Sequence, residues 1–186
     1  MDTPFMSAFA QGLVAHELSV VRFEFTYMAA RREGGSKRPP PRAERLLDEY
    51  RSAITALGNP GPLIIGGKSL GGRVASMIAG DEYEAGRIAG LLCLGYPFHP
   101  PGREENLRTA HLLEMTAPAL VVQGERDTLG TIEEVAGYGL PSNIRLYWAG
   151  DGDHDFTPRK KSGLTVEQNW QGAVDAIAAW VAQTVS

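Results

Sequence analysis

With 186 residues, 43% of them hydrophobic, the chain is long enough for one domain, residues 1–186, built around a buried core. A net charge of −4 argues against a nucleic-acid partner. No apolar run reaches bilayer length and no signal-peptide pattern opens the chain, so a cytoplasmic protein acting away from membranes is expected.

Thr3 and Pro4 open the first helix, a cap residue followed by proline at the first helical position. Phe5, Phe9, Leu13 and Val14 then share a face, and the helix runs to about Glu17. Residues 18–25 alternate and carry β-branched and aromatic side chains, which predicts a strand. The segment 31–42, rich in arginine and proline, reads as a solvated basic loop, with contact to an anionic substrate as the minority reading. A helix follows over about 43–57, with Leu46, Leu47, Tyr50, Ile54 and Leu57 at helical spacing and Gly58 ending it.

The most informative stretch comes next: a short apolar run over 62–66, then Gly67-Lys68-Ser69-Leu70-Gly71, then a small-residue helix to about Gly80. This is the layout of a nucleophile elbow, in which a serine sits on a tight strand-to-helix turn. Side chains at positions 67 and 71 would crowd the strand or helix beside it, and the helix N-terminus points amides toward charge developing on a substrate oxygen. A phosphate-binding loop is rejected, because that motif needs glycine where Pro62 stands and because Leu63, Ile64 and Ile65 read as a buried strand.

Further strands are predicted over 88–94, 118–123 and 143–148, and a last helix starts at Thr165 with Gln168 completing a capping box. Cys93, the single cysteine, lies in the first of these strands and reads as a buried structural thiol. Strands alternating with helices imply an α/β fold, a mostly parallel sheet covered on both faces.

Ser69 needs a base and an acid to orient that base. Of the four histidines, His16 and His111 read as surface positions, and His99 as a loop residue able to line a site. His154 follows the last strand on a glycine-rich loop, where a base belongs in such a fold. Asp127 follows the preceding strand and supplies the acid, with Glu125, Asp151, Asp153 and Asp155 as weaker competitors. The order Ser69, Asp127, His154 is that of an α/β-hydrolase triad, and all three fall just after strand C-terminal ends. The Leu70 amide would hold the oxyanion, and Lys68, Tyr96, Phe98, His99 and Phe156 are expected to line an open substrate site. Arg159, Lys160 and Lys161 read as a solvated basic turn, or else as an attractor for an anionic substrate.

The runs 66–73, 96–102, 123–127 and 150–156 together resemble one α/β-hydrolase subgroup. It consists of small bacterial proteins related to dienelactone hydrolases, with animal relatives that include a testis-expressed protein and a subunit of a histone-acetyltransferase complex. The resemblance covers nearly the whole chain. It implies the α/β-hydrolase fold, carries the triad onto Ser69, Asp127 and His154, and implies no substrate; residues 96–117 are too few for a separate cap domain, and no metal or other cofactor is expected. The elbow holds serine where true dienelactone hydrolases hold cysteine.

Such proteins begin with a strand and a loop that supplies the second oxyanion donor, and in this sequence nothing precedes Met1. An internal methionine taken as the start, a truncation, or a variant whose flanking strands close up would each account for that. The sheet is therefore expected to lack a strand between residues 18–25 and 62–66, leaving backbone groups unpaired. The expected function is a serine hydrolase acting on a small-molecule ester or related acyl substrate through an acyl-enzyme. The alternative is a hydrolase-fold interaction module with catalysis impaired, because losing one oxyanion donor costs roughly a hundred- to a thousand-fold.

Overall fold

The computed structural model describes residues 2–34, 39–58 and 61–185. Helix α1 (Pro4–Ala15) and helix α2 (Thr26–Arg32) come first, and a 3-10 turn (Ala43–Arg45) then leads into α3 (Leu47–Leu57). Strand and helix alternate from there: β1 (Ile64–Lys68), α4 (Leu70–Glu84), β2 (Gly90–Leu94), α5 (Ala110–Leu113), β3 (Ala119–Gly124), α6 (Ile132–Val135), β4 (Ile144–Ala149) and α7 (Val166–Thr184). The four strands pair in chain order and all in parallel. Only the four-residue α5 interrupts the connection between β2 and β3, so no cap domain is inserted there.

Strand alternation sorts the core into two layers. Ile65, Leu91, Cys93, Ala119 and Val121 face α3 and α4, where Val74, Ala75 and Ile78 are fully buried. Leu94, Leu120 and Val122 face the other way, onto Phe5 and Phe9 of α1 and Val174, Ile177 and Trp180 of α7. Every residue of β3 is buried, as expected of an internal parallel strand. Thr3 caps α1, and Thr165 with Gln168 forms the capping box that opens α7, both as the sequence predicts.

Two expectations need correction. The predicted strand over 18–25 joins no ladder. Its alternation is real over 18–24, where the even positions are half-buried and the odd ones exposed, but Phe23 and Phe25, both odd, pack on the Tyr50 ring of α3, at centroid distances of 5.0 and 6.2 Å. Nor do the flanking segments close up. On the outer edge of β1 the Tyr50 hydroxyl donates to Gly66 O at 2.5 Å and accepts from Gly66 N at 2.9 Å. One phenol thus satisfies two edge groups that a neighbouring strand would otherwise take.

The second correction is α2, which begins inside the segment where the sequence shows no helix. Its N-terminus is capped from a distance, because Glu49 of α3 accepts from Thr26 N at 2.8 Å and Thr26 Oγ1 at 3.0 Å. Positions 35–38 of the basic loop lie outside the described residues. Among the described residues no helix is long and apolar enough to cross a membrane.

Candidate active site

Ser69 sits between β1 and α4 at φ 53° and ψ −117°, a left-handed-side conformation that costs a non-glycine residue about 1–3 kcal/mol. The surroundings hold it there: Ser69 N donates to Leu94 O at 2.9 Å, and Arg73 N donates to Ser69 O at 3.0 Å. The turn is tight enough that a Cβ on Gly67 would stand 2.8 Å from Gly72 N, and one on Gly72 would stand 2.6 Å from Gly67 O. A Cβ on Gly71 would meet nothing within 4 Å. The crowding expected at positions 67 and 71 thus holds at 67, where a Cβ would also stand 2.7 Å from Gly71 C, and falls on 72 rather than 71.

Asp127 follows β3 and has no solvent exposure. Its carboxylate is fully engaged: Oδ1 accepts from Leu129 N at 2.9 Å, and Oδ2 accepts from Gln123 Nε2 at 2.9 Å and meets His154 Nδ1 at 2.7 Å. Gln123, itself buried, also bonds both backbone groups of Tyr96 and donates to Gly130 O, so it ties the acid to the loop after β2. In the sequence Gln123 reads only as a strand residue and as the start of the run 123–127.

His154 lies on the loop after β4. That loop is fastened at several points: Asn169 Nδ2 donates to Gly150 O and Phe156 O, Trp170 Nε1 to Asp155 O, and Lys68 Nζ to His154 O at 2.7 Å. The imidazole stands over Gly95, where a Cβ would come within 3.1 Å of His154 Cε1. Gly95 directly follows Leu94, the residue that accepts from Ser69 N, so the ring and the serine share one end of the sheet. The Ser69 hydroxyl makes no hydrogen bond among the described residues, and neither does the Leu70 amide, which is the first of α4.

The competing acids are committed elsewhere. Asp151 pairs with Arg159, whose hydrogen bonds are the main cause holding its carboxyl down at about 2. Glu125 accepts from Asp151 N, Asp153 accepts from Asp155 N and Thr157 N, and Asp155 meets Lys68 Nζ at 3.1 Å. Arg159 is thereby also removed as a free attractor for an anion.

The residues expected to line the site are placed differently. Tyr96, Phe98, His99 and Phe156 are buried, none more than 1% exposed. Tyr96 and Phe98 turn inward and meet edge-on at 4.8 Å, while Phe156 packs on Phe5 and Phe9 in the opposite layer. Lys68 also points to that layer, its ammonium 5.3 Å from the Phe5 ring centre, and burial lowers its pKa against the opposing pull of Asp155. His111 is half-buried rather than superficial, with Nε2 2.8 Å from Ser76 Oγ. The open cavity of about 640 Å³ beside Ser69 and Leu70 is walled instead by Arg42, Glu44, Arg73 and Arg108. Arg42 closes the basic loop that the sequence marks as a possible anion contact. Arg73 and Arg108 carry no local signal of a site role.

No group of histidine, cysteine, aspartate and glutamate suited to a metal ion occurs among the described residues. A family model described as an alpha/beta hydrolase domain matches residues 1–182. Solved structures share the architecture. The esterase domain of a Rhodothermus marinus protein is 18% identical, with 98% of this chain and 80% of that one covered at a TM-score of 0.67. An alpha-beta serine hydrolase homologue from Coxiella burnetii is 17% identical, with 100% and 78% covered at 0.67. A Pyrococcus furiosus esterase is 13% identical, with 100% and 77% covered at 0.70. At these identities the likeness is one of fold.

Proposed function

The chain belongs to the alpha/beta hydrolase domain family, and from that membership we propose that it is a serine hydrolase cleaving an ester or related acyl substrate. The observation that carries this reading is the Asp127–His154 contact of 2.7 Å, made by a carboxylate with no exposure, at the same sheet end as a serine held at φ 53°. Asp127 takes the Nδ1 proton of His154 in a hydrogen bond, which leaves Nε2 free to act as base.

In the proposed reaction Ser69 Oγ gives its proton to His154 Nε2 and bonds to the carbonyl carbon. The carbonyl oxygen becomes an oxyanion that accepts from the Leu70 amide. As the tetrahedral species collapses, the bond to the leaving group breaks and His154 passes it the proton. A water then gives its proton to His154 and attacks the acyl-enzyme, and the same steps release the acid and restore Ser69. Lys68 acts by position, holding the His154 carbonyl from below. Residues 1–186 are proposed to form one catalytic domain, of the subgroup related to dienelactone hydrolases.

A second reading, an interaction module on this fold, is favoured by one observation. Among the described residues the Leu70 amide is the one oxyanion donor that can be named beside Ser69, and the loss of a donor costs about a hundred- to a thousand-fold in turnover. Labelling with a fluorophosphonate, the adduct located by mass spectrometry, separates the two. Attachment at Ser69 that disappears in Ser69→Ala and His154→Ala is the expected result. Folded protein that takes up no label would sink the catalytic reading, leaving the module, which tolerates Ser69→Ala in partner binding.

A further inference from the structure

The cavity beside Ser69 is more basic than acyl transfer by itself requires. Three guanidinium groups, those of Arg42, Arg73 and Arg108, line it against the single carboxylate of Glu44. Arg73 projects from the first turn of α4, one turn beyond Ser69. Its Nη2 lies 3.3 Å from Glu44 Oε1, yet its Nε is buried and has no hydrogen-bond partner. The half-buried Arg108 side chain forms no hydrogen bond or ion pair among the described residues. Burial first, and then the charge of Arg73, lowers the Arg108 pKa.

A buried network fixes where these two arginines start. Ser76 Oγ donates to Arg73 O at 2.7 Å, and Tyr96 OH donates to Arg108 O at 2.9 Å. Both hydroxyls also meet His111 Nε2, at 2.8 and 3.3 Å. With their protons already given to carbonyls, the hydroxyls leave His111 Nε2 as the donor, so an imidazole protonated at Nε2 bridges α4 to the loop after β2. Two like charges with spare donors are thus held beside the nucleophile by a rigid floor. That arrangement opposes itself when empty and suits an oxyanion that takes hydrogen bonds from both forks.

On the hydrolase reading of Ser69, we infer that the substrate is an anionic ester, whose carboxylate or phosphate group pairs with Arg73 and Arg108 while its carbonyl meets Ser69. A volume of about 640 Å³ accommodates a small acyl chain and its charged end. Glu44 at the mouth disfavours the anion and trims, without cancelling, the positive balance.

The test compares kcat/KM for ester pairs that differ in one charge. Mono-4-nitrophenyl adipate against its methyl ester places the carboxylate on the acyl side, and 4-acetoxybenzoate against its methyl ester places it on the leaving group. In one pair the anionic member is expected to be faster by about 10- to 100-fold, the range of a charge-assisted hydrogen bond. That ratio should fall toward one in Arg108→Gln, recover in part in Arg108→Lys, and shrink in about 1 M KCl, where the screening length is roughly 3 Å. Protection of wild-type Ser69 from fluorophosphonate by glutarate or by inorganic phosphate reports which oxyanion is preferred, and needs no variant to fold. Ratios near one in both pairs, with Ser69 still labelled, overturn the inference and leave the hydrolase reading standing. Absence of both labelling and turnover removes the hydrolase reading and this inference with it.

Discussion

Replacing Tyr50 by phenylalanine removes one oxygen and nothing else. The ring keeps its packing against Phe23 and Phe25, so no cavity forms. Two bonds are lost, Tyr50 OH to Gly66 O at 2.5 Å and Gly66 N to Tyr50 OH at 2.9 Å. Each is worth about 1 kcal/mol net, and each backbone group left dry would cost more, about 1–3 kcal/mol. Gly66 is half-exposed, so water reaches part of the vacated edge and the lower figure applies. The expected loss is about 2 kcal/mol, which for a chain of this size lowers Tm by about 4–8 °C. Differential scanning calorimetry of Tyr50→Phe beside the parent reads this directly. A Tm within a degree of the parent would falsify the claim that this hydroxyl completes the edge of β1, and would mean that solvent already does so.

Other expectations concern the elbow, the acid and pH. Asp127→Asn keeps the shape but offers His154 Nδ1 a poorer and wrongly polarised partner; turnover should fall by about ten-thousand-fold with the fold intact, as ester kinetics and circular dichroism would show. Gly72→Ala places a Cβ 2.6 Å from Gly67 O and should displace Ser69 and abolish fluorophosphonate labelling, whereas Gly71→Ala meets open space and should label normally. If both alanines behaved alike, the packing account of the elbow would be wrong. Burial, then Arg73, lowers the His111 pKa from 6.5, so the unfolded chain binds that proton first and stability should decline as pH falls below about 6.5. Hydrogen bonding from Arg87 lowers Glu82 from 4.5, so its contribution is present above that value and is lost as pH falls through the lowered one. Urea midpoints between neutral and acid pH should lose the upper step in His111→Asn and the lower in Glu82→Gln; identical profiles would count against both assignments.

The elbow turn, strands β1 to β4, and the places of Asp127 just past β3 and His154 just past β4 were legible because each depends on neighbours in sequence, as the glycines around Ser69 do. What was not legible depends on partners far along the chain. Helix α2 takes its cap from Glu49, so no local cap signal marks Thr26. The segment 18–25 alternates like a strand, yet its Phe23 and Phe25 meet a helix ring rather than a neighbouring strand, and periodicity does not say what lies opposite. Tyr96, Phe98 and His99 follow a strand's C-terminal end, as site residues do, but Gln123 grips the Tyr96 backbone and the chain turns inward there. Arg73 and Arg108 look like ordinary helix and loop charges until the fold sets them on one wall.

Helix α1 has a bearing on synthesis. Strands β1 to β4 join the sheet in the order in which they are made, so most of the fold can assemble as the chain lengthens. The exception is the first helix. Phe5 and Phe9 rest on Phe156 and Trp170, a Cβ on Gly12 would touch Val174, and His16 reaches Asp175 at 3.1 Å. Phe156, Trp170, Val174 and Asp175 are all made after β4. While the chain is being made, the apolar face of α1 stays without these partners until α7 emerges, and that interval is where a chaperone has something to bind.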